Sequence, residues 1–312
     1  MKLVVMIPAY NEADTIANVI QAIKENSPKN TEILVIDDGS RDDTAKLAAD
    51  AGAKVIRHGN NKGLGIAFKT GINAALEMKA GIIVNIDADG QFNPADIPRL
   101  IQPIIDGKAD MVTCSRFLEP RFSPKMPAIK KLGNKIITGL INFLTGKNFT
   151  DSQCGFRAYS REAALRLNLF GEYTYTQEVF LDLLNKGLRI KEISCKLVHD
   201  QRKGKSRLYK NWFVYGTRVL LIIIRSIRDY RPLKFFGLIG LFTILLGLLV
   251  DIILFIRWLF TGFITPYRSL LLLGITLIIL GFLLGMLALI ADMQSRQRKL
   301  QEEILYRLKK NG

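Results

Sequence analysis

Two long apolar runs near the carboxyl end of the chain constrain its fold more than any other feature. Phe235–Ile256 contains a single charged residue, Asp251, and Ser269–Ala291 contains none. Each run exceeds the roughly 18 apolar residues that mark a membrane-spanning helix. One such run also fits a buried helix of a soluble protein, but two in tandem, joined by a short loop with Pro266, favour membrane spans. We therefore predict an integral membrane protein with a two-helix transmembrane hairpin over residues 235–291.

Basic residues surround the predicted hairpin and contribute to a formal net charge of +16. Because cytoplasmic flanks of membrane spans are enriched in Lys and Arg, we expect both flanks, including a basic tail over residues 292–312, to be cytoplasmic. The intervening loop carries Arg257 and Arg268, which weakens this asymmetry without reversing it. The flanking cations are Arg218, Arg225, Arg228, Arg231 and Lys234 before the first run, and Arg296, Arg298, Lys299, Arg307, Lys309 and Lys310 after the second.

Residues 1–200 alternate short apolar runs with segments of helical periodicity. This order is typical of an α/β fold, in which a parallel sheet is covered by helices on both faces. Ligands of such sheets bind at the carboxyl ends of the strands. The predicted strands are Leu3–Ile7, Ile33–Ile36, Lys54–Arg57, Ile82–Ile86 and Met111–Thr113.

Two later segments are amphipathic. We interpret Asn211–Ile227 as the main part of a juxtamembrane interfacial helix over residues 211–232, with its basic residues facing lipid phosphates. Pro127–Leu144 has a broad apolar stripe opposite several lysines, and the sequence leaves core packing and interfacial binding open for it.

The strongest chemical signal is the acidic turn Asp87-Ala88-Asp89-Gly90-Gln91, which follows a buried strand. Its two carboxylates, two residues apart, can project toward one cleft. Mg²⁺ and Mn²⁺ prefer oxygen ligands, and their coordination is usually completed by substrate phosphates. One carboxylate and the Gln91 carbonyl leave room for a diphosphate on such an ion.

Two further motifs follow predicted strands: Pro8-Ala9-Tyr10-Asn11-Glu12 and Asp37-Asp38-Gly39-Ser40. Together with the acidic turn, they resemble the family 2 glycosyltransferases of the GT-A fold over about residues 1–200. The resemblance implies a Rossmann-like mixed sheet that binds a nucleotide-sugar. It also implies that Asp87 and the neighbouring Ala88 contact the nucleotide, and that Asp89 and Gln91 hold Mg²⁺ or Mn²⁺. The implied nucleoside pocket consists of Pro8, Ala9, Tyr10, Glu12 and Asp38.

The block Asp151–Arg157 resembles polyprenyl-phosphate glycosyltransferases, especially the dolichyl-phosphate glucosyltransferase branch, which favours a UDP-sugar over GDP-mannose. Many family members carry a Glu-Asp pair with the catalytic base where this chain has Gln177-Glu178. A phosphate acceptor needs no base, because it is already ionised at neutral pH. It needs cations, and we expect Arg116, Arg202 and Lys205 to hold it, with Arg121, Lys125 and Arg207 nearby.

Cys114, Cys154 and Cys195 match no zinc-binding spacing, and we interpret them as reduced, packed thiols. His58 and His199 are too few for a His-rich metal site, and the sequence assigns them no role.

These features predict a GT-A catalytic domain over residues 1–210, followed by the interfacial helix, the hairpin and the tail. The expected reaction is inverting transfer of a sugar to a polyprenyl or dolichyl phosphate at the cytoplasmic face of the membrane. Two alternatives remain: a membrane transferase that acts on a lipid or polysaccharide hydroxyl, and a non-catalytic basic membrane-binding protein. We expect no nucleic-acid partner, and the sequence leaves homo-oligomerisation open.

Overall fold

The computed structural model describes residues 1–122, 124, 126–169, 175–195, 197–198, 217, 221, 224–225, 227–230 and 232–311. The chain divides into two compact units, Met1–Ile222 and Ile223–Gly312. Most of the predicted interfacial helix at 211–232 lies outside the described residues, as do Lys125, His199, Arg202, Lys205 and Arg207.

The first unit alternates strands and helices, as the hydrophobic pattern predicts. Two 3₁₀ turns, Pro94–Asp96 and Pro120–Phe122, follow β4 and β5. The strands are β1 (Leu3–Ala9), β2 (Glu32–Asp37), β3 (Lys54–Arg57), β4 (Ile82–Asn85), β5 (Met111–Ser115), β6 (Arg157–Ser160) and β7 (Ile190–Ser194). The helices are α1 (Ile16–Asn26), α2 (Thr44–Asp50), α3 (Leu64–Glu77), α4 (Ile97–Ile105), α5 (Ala128–Thr145), α6 (Arg161–Arg166) and α7 (Thr176–Asn185).

The seven strands form one mixed sheet in the order β3-β2-β1-β4-β6-β5-β7. The parallel pairing predicted for the first four strands is confirmed. The hydrophobic pattern predicted a parallel sheet, and this prediction is wrong for β6, which runs antiparallel between β4 and β5. Its first residue, Arg157, lies opposite both Asn85 and Thr113. The carboxyl ends of β1, β2, β4 and β5 and the amino end of β6 therefore meet at one edge, which is the mixed sheet that the resemblance implied.

Apolar side chains cover both faces of the sheet. On β1, Val5 and Ile7 pack toward α1 and α4, whereas Val4 and Met6 pack toward α3, α6 and α7. All four side chains are fully buried. The central strand is therefore apolar on both sides, and polar groups are left to gather at the strand ends.

Helix α5 leaves an apolar stripe exposed. Asn134, Thr138 and Ile141 are buried against the rest of the first unit. The apolar residues 53–84% exposed on the helix are Ile129, Leu132, Ile136 and Phe143. Their spacing of three, four and seven residues places them on one stripe, so α5 has an apolar surface that the first unit does not cover.

The second unit contains two long helices, α8 (Pro232–Thr261) and α9 (Arg268–Asn311), that are long and apolar enough to cross a membrane. They pack through glycines seven residues apart on each helix, Gly240 and Gly247 against Gly274 and Gly281. A Cβ at Gly247 would lie 2.6 Å from the Gly274 carbonyl oxygen. Small residues at helix interfaces let backbones approach closely in membranes, so these glycines fix the hairpin.

We expect Gly247→Ala to destabilise the hairpin by about 1–3 kcal/mol, because the added methyl group must push the two backbones apart. Gly237→Ala is the matched control, since nothing lies within 4 Å of a Cβ there. Thermal unfolding in detergent measures both variants. An unchanged melting temperature for Gly247→Ala would contradict this packing.

Candidate active site

Main-chain and side-chain hydrogen bonds connect the turns that follow β1, β2 and β4. The Asn11 amide donates to Ser40 Oγ at 2.8 Å, and the Arg41 amide donates to Asn11 Oδ1 at 2.7 Å. Thr15 Oγ1 donates to the Ala88 carbonyl oxygen at 2.7 Å. Three sequence motifs that are far apart in the chain therefore form one polar surface.

Asp38 is buried and organises a neighbouring loop. Its carboxylate accepts hydrogen bonds from the main-chain amides of Lys62 and Gly63 at 3.0 and 2.8 Å. It also lies 2.7 Å from Nδ1 of His58, whose Nε2 lies 3.1 Å from Thr70 Oγ1. The sequence missed this role of His58. The contact of Asp38 with a nucleoside stays a prediction.

Gly39 allows the same loop to approach. Its φ is +74°, and a Cβ there would lie 2.5 Å from the Asn60 carbonyl carbon. The motif after β2 and the segment Asn61–Gly65 therefore hold each other in place.

The acidic turn concentrates negative charge on half-buried side chains. Burial, followed by repulsion from Asp89, raises the pKa of Asp87, while Arg116 and Arg157 oppose the shift. Burial also raises the pKa of Asp89, although the Gln91 amide donates to its Oδ1 at 3.1 Å. A bound cation would relieve this repulsion.

The oxygen donors of Asp89 and Gln91 fit Mg²⁺ or Mn²⁺. Within the described part of the chain, no group of three or more His, Cys, Asp or Glu side chains is arranged to hold a metal ion. Substrate oxygens would therefore have to complete the coordination, as is usual for Mg²⁺.

A buried polar layer lies behind the acidic turn. Asn85 donates to the Gly155 carbonyl oxygen at 2.8 Å and to the Tyr175 hydroxyl at 2.9 Å. Arg157 is fully buried, donates to the carbonyl oxygens of Thr176 and Ser152, each at 2.9 Å, and its guanidinium carbon lies 4.8 Å from the Phe180 ring centroid. Sequence reasoning missed Asn85 and Arg157. Asn85 offered a signal, since it is a polar residue after an apolar run in a short strand, whereas Arg157 begins a strand that has no apolar run.

The described cations that we predicted to hold the acceptor differ in their surroundings. Arg116, directly after β5, forms a two-point ion pair with the buried Asp151. Arg121 is 74% exposed and pairs with Glu119 at 2.6 Å. Glu178 lies in the first turn of α7. Of the described cations that we predicted, only Arg116 is placed where it influences the pKa of Asp87.

The cysteine interpretation is wrong for two of the three residues. Cys114 and Cys195 form a disulfide with their Cα atoms 5.5 Å apart, and Cys154 is free and buried. The pair is 81 residues apart in sequence, and the pairing of β5 with β7 brings it together.

Comparison with known proteins gives one consistent family. Residues 4–167 match the model of the glycosyl transferase family 2. The UDP-N-acetylglucosamine--dolichyl-phosphate N-acetylglucosaminyltransferase of Methanococcus voltae is 35% identical over 219 residues, covering 63% of this chain and 85% of that protein. The polyprenol monophosphomannose synthase of Mycolicibacterium smegmatis is 29% identical over 202 residues, covering 62% and 76%.

The fold also matches a solved enzyme. The glucosyl-3-phosphoglycerate synthase of Mycobacterium tuberculosis, crystallised with Mn²⁺, UDP and phosphoglyceric acid, superposes with a TM-score of 0.58. The two chains are 21% identical, and the match covers 72% of this chain and 78% of the other. The fold is therefore GT-A-like. With its family motifs at one sheet edge, this chain belongs to the glycosyl transferase family 2 and is a glycosyltransferase.

Proposed function

We propose that this enzyme transfers a sugar, with inversion, from a nucleotide-sugar to the phosphate of a polyprenyl or dolichyl phosphate. The observation that carries the proposal is that the acidic turn, suited to a cation on a diphosphate, and Arg116, suited to a phosphate, lie at the same edge of the sheet. The acidic turn follows β4, and Arg116 follows β5 at the same edge, close enough to lower the pKa of Asp87. A divalent cation on a donor diphosphate and a guanidinium for an acceptor phosphate suit this arrangement.

In this function Asp89 and Gln91 hold Mg²⁺ or Mn²⁺, which offsets the charge of the donor diphosphate. Asp87 and Ala88 contact the nucleotide. Pro8, Ala9, Tyr10, Glu12 and Asp38 line the nucleoside pocket, and the hydrogen bonds between their turns give this pocket a fixed shape. A solved neighbour with Mn²⁺ and UDP supports this assignment.

We infer a phosphate acceptor because a phosphate, unlike a hydroxyl group, needs no catalytic base to ionise it. A hydroxyl nucleophile must lose its proton during transfer, whereas a lipid monophosphate is already ionised at neutral pH. In this chain Gln177 occupies the first position of the family's acidic pair. Arg116, together with Arg202, Lys205, Arg121, Lys125 and Arg207, supplies the cations that a phosphate requires. The names of two relatives also refer to phosphorylated polyprenols or dolichols.

The donor is inferred to be a UDP-sugar. The block Asp151–Arg157 resembles the glucosyltransferase branch, and the more similar of the two named relatives uses a UDP-linked sugar. Sugar transfer from an α-linked donor with inversion gives a β-linked lipid-phosphate sugar and a nucleoside diphosphate.

The location follows from the apolar surfaces. Helices α8 and α9 anchor the chain in the bilayer, and the exposed stripe on α5, with Lys131 and Lys135 on the helix, suits the lipid interface. The catalytic domain and the basic tail then share the cytoplasmic side.

We expect Asp89→Asn and Gln91→Ala to reduce turnover by about a hundredfold or more, because the first removes the charge and the second the oxygen of a proposed metal ligand. EDTA should have the same effect, and Mg²⁺ or Mn²⁺ should restore the rate. Asp96→Asn is the control, since Asp96 pairs with Arg99 and lies outside the acidic turn. Full activity of metal-stripped enzyme in EDTA would refute the metal assignment.

Neutralising Arg116 tests the acceptor. Arg116→Gln should lower kcat/KM for farnesyl phosphate by about ten- to a hundredfold, because charge-assisted hydrogen bonds contribute about 1.5–3 kcal/mol. Donor KM should change little. Glu178→Gln should be tolerated, whereas loss of a true general base costs about 10²- to 10⁴-fold. Preference for farnesol, with Glu178 indispensable and Arg116 silent, would favour the hydroxyl-acceptor alternative.

Cysteine-accessibility labelling tests the topology. Cysteines introduced at Lys2 and Asn311 should react with an impermeant reagent from the same side, because basic residues flank both spans. A cysteine at Phe263, in the loop between α8 and α9, should react only from the opposite side. Labelling of the Lys2 and Asn311 positions from opposite sides would mean that one helix does not cross.

A further inference from the structure

Strand β5 has an arginine–aspartate pair at each end. At its amino end, Arg189 donates through its amide and Nε to Asp110 Oδ2 at 2.8 and 3.1 Å, and through Nη2 to Oδ1 at 3.2 Å. At its carboxyl end, Arg116 donates through Nε to Asp151 Oδ2 at 2.6 Å and through Nη2 to Oδ1 at 3.0 Å. The two pairs share the same geometry but have different environments.

Burial distinguishes the pairs. The side chains of Arg189 and Asp110 are 58% and 19% exposed, whereas those of Arg116 and Asp151 are 20% and 0% exposed. Exposed ion pairs contribute little to stability, because solvent screens them and side-chain entropy opposes them. A buried carboxylate must instead be satisfied by fixed partners, so it can define the orientation of the guanidinium that faces it.

Asp151 itself is held from several directions. Its Oδ1 also accepts hydrogen bonds from Asn134 Nδ2 and the Gln153 amide, each at 3.2 Å. The Asp151 amide donates to Glu192 Oε1 at 2.9 Å, which fixes the main chain to β7. Asp151 therefore cannot turn away without breaking a network that spans α5, β7 and the loop before β6.

The two-point pair uses one edge of the Arg116 guanidinium, formed by Nε and Nη2. A guanidinium is planar and rigid, so a pair that fixes this edge also fixes the direction of the second edge, formed by its two Nη atoms. The loop that carries Asp151 also reaches the acidic turn, because a Cβ at Gly155 would lie 2.9 Å from Asp87 Oδ1. The orientation imposed by Asp151 thus decides where the second edge points.

We propose that Asp151 is a positioning residue that orients Arg116 toward the acceptor phosphate, with Asn134 of α5 supporting the carboxylate. The proposal rests on the proposed function, in which Arg116 holds that phosphate. Because the pair with Asp151 already orders the Arg116 side chain, the acceptor binds a preorganised cation and the entropic cost of binding is lower. The helix that supports Asp151 is the one whose outer stripe is apolar, which places the acceptor cation next to the surface expected at the lipid.

The test is steady-state kinetics of the full-length enzyme with a UDP-sugar and farnesyl phosphate. Asp151→Asn keeps the shape of the side chain but removes its charge. We expect kcat/KM for farnesyl phosphate to fall by about tenfold or more, mainly through a higher acceptor KM, with donor KM changed less than about twofold. Asp110→Asn, which removes the matched exposed pair, should leave both KM values unchanged.

A double-mutant cycle separates positioning from general stability. If Asp151 acts through Arg116, the Arg116→Gln/Asp151→Asn double variant should be no worse than Arg116→Gln alone within about threefold. Asp151→Glu, which keeps the charge, should retain more acceptor activity than Asp151→Asn. Asn134→Ala removes a single hydrogen bond to the carboxylate and should raise the acceptor KM about threefold. If Asp151→Asn does not fold, the acceptor KM of Asn134→Ala tests the positioning role of Asp151 instead.

The outcomes are distinguishable. Wild-type enzyme that transfers no sugar to farnesyl phosphate would overturn the proposed function and this inference together. Active wild type with an unchanged acceptor KM in both Asp151→Asn and Asn134→Ala would overturn the inference alone. The inference would also fall if the losses in acceptor kcat/KM of Arg116→Gln and Asp151→Asn multiply in the double variant. It would fall as well if Asp151→Asn lowers kcat/KM equally for the donor and the acceptor.

Discussion

Burial of two neighbouring carboxyl groups, those of Asp87 and Asp89, is the constraint on which the rest of the site depends. Burial raises the pKa of both carboxyl groups, and repulsion from Asp89 adds to this cost at Asp87. The protein offsets it with the positive charges of Arg157, buried behind the turn, and Arg116, beside it. In the proposed function, a divalent cation and a donor diphosphate bind at this turn.

The antiparallel strand β6 makes this arrangement of charges feasible. Because β6 lies between β4 and β5, its first residue, Arg157, is opposite Asn85 on one side and Thr113 on the other. The loop that leads into β6 carries Asp151 to the same edge, where it meets Arg116. The antiparallel direction of β6 thus brings the buried Arg157, and the Asp151 that pairs with Arg116, to the carboxyl end of β4.

Much of the first unit could be predicted from its sequence because β1, β2 and β4 are short apolar runs followed by recognisable motifs. Strand β6 was missed because Arg157–Ser160 contains arginine, tyrosine and serine and has no apolar run. The pairs His58–Asp38, Arg116–Asp151 and Cys114–Cys195 depend on strand pairing and lie 20, 35 and 81 residues apart. Single-residue patterns carry no signal for such contacts. The acidic turn Asp87–Gln91 could be predicted without any such contact, since the residues of its motif are contiguous in the sequence.

The central claim is that an anionic lipid phosphate, rather than a hydroxyl, receives the sugar. Mass spectrometry of the lipid product tests it most directly, using a set of UDP- and GDP-sugars with an equimolar mixture of farnesyl phosphate and farnesol. We predict one product, whose mass is that of farnesyl phosphate plus one glycosyl unit, formed from a UDP-sugar together with an equal amount of UDP. A glycosylated farnesol, with farnesyl phosphate recovered unchanged, would contradict the claim.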